Sequence, residues 1–283
     1  MPRHPHELGL VTKLHEDATG QIAAVRGFGL DVCHLSVYRP DYLTEANRAI
    51  ILAEAKAHDV EITAMWAGYP GKVVWDLIDG PITTGLVPVE VREERSAIIK
   101  RSADVAASMG IREIITHLGF VPEDLHDERY KSLIPVIRDI AAHLKRNDQV
   151  FCFETGQETP VTLLRTIEDV AMDNVGVNFD PANLLLYGKG NPIDALPLLG
   201  PHIRSVHAKD GFYPKDGRHL GAEKPIGEGQ VDFPRFRDGL AAIGYGGPLC
   251  IECDLPEGER EVAVRNGVQA LEELLEQAGS YVR

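Results

Sequence analysis

The stretch QVFCFETGQETPVTLLRTIEDVAMDNVGVNFD, residues 149–180, reads as a strand, a helix and a second strand. In QVFCFETG (149–156), Phe151 and Phe153 share one face, which leaves Cys152 and Glu154 on the other. TPVTLLRTIEDVA (159–171) is helical, with Pro160 in its first turn, where proline is tolerated. VGVNFD (175–180) carries Val175, Val177 and Phe179 and ends in Asp180. Pro181 follows at once and stops a sheet ladder, because it has no N–H to donate. A carboxylate at the tip of a buried strand needs a partner, since an unpaired buried charge is costly.

The same alternation extends in both directions. Upstream, LGLVTKL (8–14), DVCHLSV (31–37), EITAMWAG (61–68) and REIITHLGF (112–120) read as strands. Helices follow them to about Phe28 and over 44–59, 91–110 and 127–147. Thr44 stands at one N-terminus, Gly110 closes the third helix, and Pro135 is placed to kink the fourth. Downstream come a helix near 192–199, the strand IRSVHAKD (203–210), a helix over 232–244, the strand PLCIECDL (248–255) and a last helix over 259–279. Eight strands, each followed by a helical segment, imply an α/β chain folded as a (β/α)8 TIM barrel, one domain over 1–283. No GxGxxG follows the first strand, which weakens the rival doubly wound dinucleotide-binding sheet. Two connections, 69–89 and 211–231, are too long for plain loops, and such segments usually serve as lids or binding loops.

Composition narrows the function. Asp and Glu outnumber Lys and Arg 43 to 29, a formal charge of -14, which argues against general nucleic-acid binding. The N-terminal MPRHPHELGL lacks a signal pattern and no apolar run is long enough to span a bilayer, so the chain is expected in the cytoplasm with no membrane partner. The CxxC of Cys250 and Cys253 lies in a strand, where the two thiols point to opposite faces and read as buried side chains.

In a (β/α)8 barrel the active site lies at the C-terminal ends of the strands. Strands four to eight end in His117, Glu154, Asp180, His207 and Glu252. Any one of these alone reads most simply as a cap, an ion-pair partner or a hydrogen-bonded core residue. Together, Glu154, Asp180 and Glu252 would repel one another unless a cation sits between them. With the imidazole of His207 they form an oxygen-rich site for one divalent ion, which suits manganese or magnesium better than a sulfur-rich zinc site. His117 is left between substrate contact, a second ion and a hydrogen bond to Glu154.

THLGF (116–120), FETG (153–156), FDPAN (179–183), HAKD (207–210), PIGEGQVDF (225–233) and IECD (251–254) resemble the xylose isomerase-like sugar isomerases and epimerases, especially the tagatose 3-epimerase group. The resemblance implies that Glu154, Asp180, His207 and Glu252 hold one divalent metal; the donor set favours Mn2+, with Mg2+, Co2+ or Zn2+ as alternatives. It also implies that Glu154 and Glu252 form the acid–base pair. Two positions depart from the family. Asn183 stands where those epimerases carry a histidine, and Glu223 and Lys224 precede Pro225 in place of an arginine, so only Lys224 offers a similar charge.

The expected chemistry is proton removal beside a metal-chelated carbonyl of a ketose or related polyol ketone, through an enediolate. Reprotonation gives an epimer or an isomer, and loss of hydroxide gives a dehydratase of the inosose type. Lys209 shares a face with His207, and with His117, Asn183, Lys224 and Trp66 it is a candidate substrate contact; Trp66 and Tyr69 would wall the sugar pocket. Glu158 reads as a helix cap, and PIGEGQVDF as a turn shaping the mouth. Two other classes weigh less. The endonuclease four-type nucleases need additional histidines that this chain lacks, and a non-catalytic sugar-binding barrel would not need the carboxylate pair. A homo-oligomer is compatible with the sequence.

Overall fold

A computed structural model of the protein describes residues 6–279, so the start of MPRHPHELGL lies outside the described residues. Strands β1 (Leu8–Lys13), β2 (Val32–Val37), β3 (Glu61–Ala67), β4 (Glu113–Thr116), β5 (Val150–Glu154), β6 (Val175–Phe179) and β7 (Ile203–Ala208) pair in parallel. A short ribbon follows, β8 (Asp210–Gly211) with β9 (Glu223–Lys224), and then β10 (Leu249–Ile251) closes the barrel between β7 and β1. The architecture is the (β/α)8 TIM barrel.

The helices are α1 (Gln21–Gly27), α2 (Glu45–His58), α3 (Gly80–Thr83), α4 (Val89–Ser108), α5 (Glu128–Arg146), α6 (Pro160–Val170), α7 (Pro181–Leu186), α8 (Pro192–Leu199), α9 (Phe233–Ala242) and α10 (Glu257–Gly279). The side chain of Thr44 caps α2 by accepting the Asn47 N–H, and Gly110 takes the left-handed conformation just past α4. Among the described residues no helix is long and apolar enough to cross a membrane.

Strand alternation decides where the core lies. Phe151, Phe153, Val177, Phe179, Val206 and Ile251 join the large apolar core. Two smaller apolar clusters lie apart from that core, one of Ala64, Trp66, Ile115 and Cys152 and one of Val11, Val32 and Cys250. Buried polar side chains, among them His34, Glu154 and His207, share the interior with them.

Both long connections carry structure. The 69–89 segment contains α3 and is tied to α4 by two buried arginines: Arg92 donates to the carbonyls of Leu86 and Val87, and Arg95 to that of Gly85. Gly85 has φ +78°, and a Cβ there would lie 2.0 Å from the carbonyl oxygen of Leu118, so glycine is required. The 211–231 segment is anchored by Asp210, whose carboxylate accepts N–H bonds of 2.8–3.0 Å from Gly211, Gly227, Gly229 and Val231. This holds PIGEGQVDF at the barrel mouth.

Candidate metal centre and active-site cleft

Glu154 ends β5, Asp180 follows β6, His207 lies in β7 and Glu252 follows β10. These four strands are neighbours in the barrel, so the four side chains converge along one arc of its mouth. One donor atom from each lies within 4.8 Å of the others. Glu154, Asp180 and His207 are buried, and Glu252 opens to the cleft with a side chain 10% exposed.

Each donor is held by its surroundings. Nδ1 of His207 faces Oε1 of Glu154 at 2.8 Å and Oε2 of Glu252 at 3.2 Å, and the better-aligned contact is the one to Glu154. Trp66 donates its indole N–H to Oε2 of Glu154 at 2.6 Å. Nε2 of His117 lies 3.1 Å from that same oxygen, and its Nδ1 donates to the main-chain carbonyl of Glu154 at 3.2 Å. Asp180 accepts the Asn183 N–H through Oδ1 and so caps α7, with Pro181 in the first turn. Its Oδ2 is buried and has no hydrogen-bond partner among the described residues, and neither has Oε2 of Glu252. The bare Oδ2 of Asp180, together with Oε2 of Glu252, which has only longer ion-pair contacts to His207 and Lys209, fits a divalent cation.

The protonation pattern agrees with that fit. Burial, and the carboxylates of Glu252 and Glu154, push Asp180 well above the usual carboxylate range. Burial opposes the charge on His207, yet Glu154 and Glu252 raise it to about 10. For Glu252, Lys209 and His207 overcome burial and hold the carboxyl well below its ordinary range. Without a cation the cluster keeps protons on His207 and Asp180; a bound cation would replace them.

A cleft of about 580 Å3 opens above these groups, with His117, Asn183, Lys209, Glu252, Trp75 and Tyr38 in its lining. Lys209 is buried beneath it, 2.6 Å from Asp254, 3.5 Å from Glu252 and 3.7 Å from Glu223. Lys13 pairs with the other oxygen of Asp254 at 2.6 Å.

Several sequence expectations change. Trp66 grips a metal-site carboxylate, while it, Tyr69 and Trp75 line an adjoining cavity of about 470 Å3. Glu223 lines the main cleft; Lys224 instead lies over the Phe212 ring, 5.8 Å from its centroid, because the β8–β9 pairing turns the two neighbours apart. Thr159 rather than Glu158 caps α6, leaving Glu158 buried with one oxygen unpartnered. The run 248–255 is regular only to Ile251, so Glu252 and Asp254 leave the ladder at the mouth. Sequence reading gave no role to His34, Asp210 or Asp254. The inward register of His34 in DVCHLSV is the signal that marks it.

Comparison with known proteins agrees with the geometry. The model of the xylose isomerase-like TIM barrel family matches residues 22–274. This chain belongs to the xylose isomerase-like TIM barrel family. A xylose isomerase domain protein from Planctomyces limnophilus is 31% identical, with a TM-score of 0.91 over 97% of this chain and 99% of that one. A D-tagatose 3-epimerase-like protein shares 20% identity with a TM-score of 0.76, over 98% and 100% of the two chains. A xylose isomerase-like barrel from Mycobacterium smegmatis, solved in complex with magnesium, shares 20% identity with a TM-score of 0.70, over 98% and 99%. The chain spans about half the length of the curated relatives it matches.

Proposed function

We propose that this protein is a divalent-metal-dependent sugar isomerase or epimerase that acts on a ketose or a related polyol ketone. The observation that carries the reading is the convergence of Glu154, Asp180, His207 and Glu252 within 4.8 Å, with Glu252 lining the cleft. These residues would hold one ion. Manganese is the first choice for so oxygen-rich a set, with magnesium, the ion of the M. smegmatis relative, next and cobalt or zinc as alternatives. When bound, the ion supplies a Lewis acid that polarises the substrate carbonyl and acidifies the neighbouring C–H.

The protein's own residues do the rest. Glu154 and Glu252 stand at the two ends of the four-strand arc and reach the substrate from different sides. One removes the proton beside the carbonyl and the other returns it, a contribution of roughly 10²–10⁴-fold. The indole N–H of Trp66 fixes Glu154 for this task, and Lys209 keeps Glu252 ionised. His117, Asn183 and Lys209 line the cleft within reach of substrate hydroxyls.

A panel of ketoses and inososes in deuterated buffer with manganese tests the reading, with proton NMR following exchange beside the carbonyl. Manganese-dependent wash-in with an epimeric or isomeric product is the expected result. Wash-in with loss of water would make the protein a dehydratase on the same residues. No exchange across the panel by protein that holds manganese would contradict the reading.

A further inference from the structure

His34 lies in β2, across the barrel from the arc that carries the four candidate ligands, and is fully buried. Its Nδ1 lies 3.1 Å from Nε2 of His207. The two rings are tilted by 51° with centroids 5.2 Å apart, so they meet edge to edge through nitrogen rather than by stacking. The backbone is shaped for this contact. Cys33 faces Ile62 but His34 faces Ala64, so β3 carries Thr63 as an extra residue beside His34. Such bulges re-aim a side chain.

Two imidazole nitrogens at hydrogen-bond distance need one proton between them. If His34 donated it, the remaining proton of a neutral His207 would sit on Nδ1, against Glu154, and that nitrogen could not bind a metal. If His207 donates from Nε2, Nδ1 presents its lone pair to the carboxylate cluster. That assignment leaves the proton of His34 on Nε2, which is buried without a partner among the described residues. A histidine retained for packing or stability would have both nitrogens satisfied, because an unpaired buried N–H is costly. The arrangement sacrifices one hydrogen bond to fix the other.

We propose that His34 is a positioning residue that accepts the Nε2–H of His207 and so locks His207 in the tautomer whose Nδ1 binds the metal. The proposal rests on the metal reading above, and the hydrogen bond to His207 is the contact through which His34 would act on the ion. Outer partners of metal-bound histidines commonly alter metal affinity by about 10–100-fold when removed.

Three variants test it. His34→Phe fills the space without an acceptor. His34→Asn places an amide oxygen near the position of Nδ1, and His34→Gln places its amide near Nε2, on the wrong side of the ring. Metal-stripped full-length proteins are titrated with Mn2+ by calorimetry, and their thermal unfolding is recorded without metal. In the zinc-loaded proteins, long-range 1H–15N spectra of the histidines report the tautomer of His207. We expect His34→Phe and His34→Gln to bind Mn2+ about 10–100-fold more weakly than wild type, and His34→Asn to recover most of the loss. Wild type should show His207 protonated on Nε2. Wild-type affinity in both His34→Phe and His34→Gln, or a wild-type His207 protonated on Nδ1, overturns the proposal. If His34→Phe does not fold, the Asn–Gln pair decides alone. A wild-type protein that binds no Mn2+ overturns the metal reading itself, which keeps the two failures distinct.

Discussion

The indole N–H of Trp66 donates a 2.6 Å hydrogen bond to Oε2 of Glu154. One oxygen of the carboxylate is thereby fixed, and Oε1 is left facing His207. Trp66 sits among Tyr38, Tyr69 and His117, with ring centroids 4.7–6.3 Å away, so its own orientation is locked by packing. Trp66→Phe keeps an aromatic ring but removes the donor. Substrate-proton exchange should fall by about 10–100-fold, while the metal-free unfolding temperature changes little. An exchange rate equal to wild type would remove Trp66 from the catalytic assembly.

The second prediction concerns pH and metal. The neighbouring carboxylates, against the effect of burial, raise His207 to about 10, and Asp180 is raised as well. Metal uptake must displace these protons. Apparent Mn2+ affinity should therefore rise by about tenfold or more per pH unit between roughly pH 6 and pH 9. Calorimetry in buffers of different ionisation heat counts the protons released; an affinity flat across this range, with no proton release, contradicts the assignment.

Glu158 offers a separate stability signal. Burial raises its carboxyl to about 8, from a usual value near 4.5. Between these values the folded state binds more protons than the unfolded state, so stability falls as pH rises through the window. The loss should be on the order of a few kcal/mol. Glu158→Gln should flatten the decline in urea unfolding measured from pH 5 to pH 8.5. An unchanged slope would place the titration elsewhere.

Asp210 carries the PIGEGQVDF segment. A Cβ on Gly229 would lie 2.1 Å from its Oδ1, so the loop is wrapped tightly around this carboxylate. Asp210→Ala strands four backbone N–H groups and should cost about 3 kcal/mol or more. Hydrogen exchange should become fast at Gly227, Gly229 and Val231; retained protection there would show that other contacts hold the loop.

The alternation that fixes the barrel was legible because apolar residues in the strands face the helices, as with Phe151 and Phe153. The four candidate ligands were legible because they end successive strands. The groups that aim them were not. His34 looks like one polar residue in an apolar strand, and its contact spans 173 residues of sequence. Asp180–Pro181 reads in sequence as the end of a strand, yet the same pair starts α7, since aspartate caps and proline suits the first turn. The charge of Lys224 points to the cleft, but the face it shows is set by pairing with Asp210 in a two-residue ribbon that propensity does not signal.

The most direct test compares Glu154→Gln with Glu252→Gln, both loaded with manganese to the wild-type stoichiometry, on the ketose that exchanges in the screen. If these carboxylates remove and return the proton, both variants should lose net conversion by roughly 10²–10⁴-fold. They should differ in exchange: starting from one epimer, glutamine at the abstracting position abolishes deuterium wash-in, and glutamine at the other leaves wash-in without inversion. Conversion at near wild-type rates by both metal-loaded variants would contradict the account.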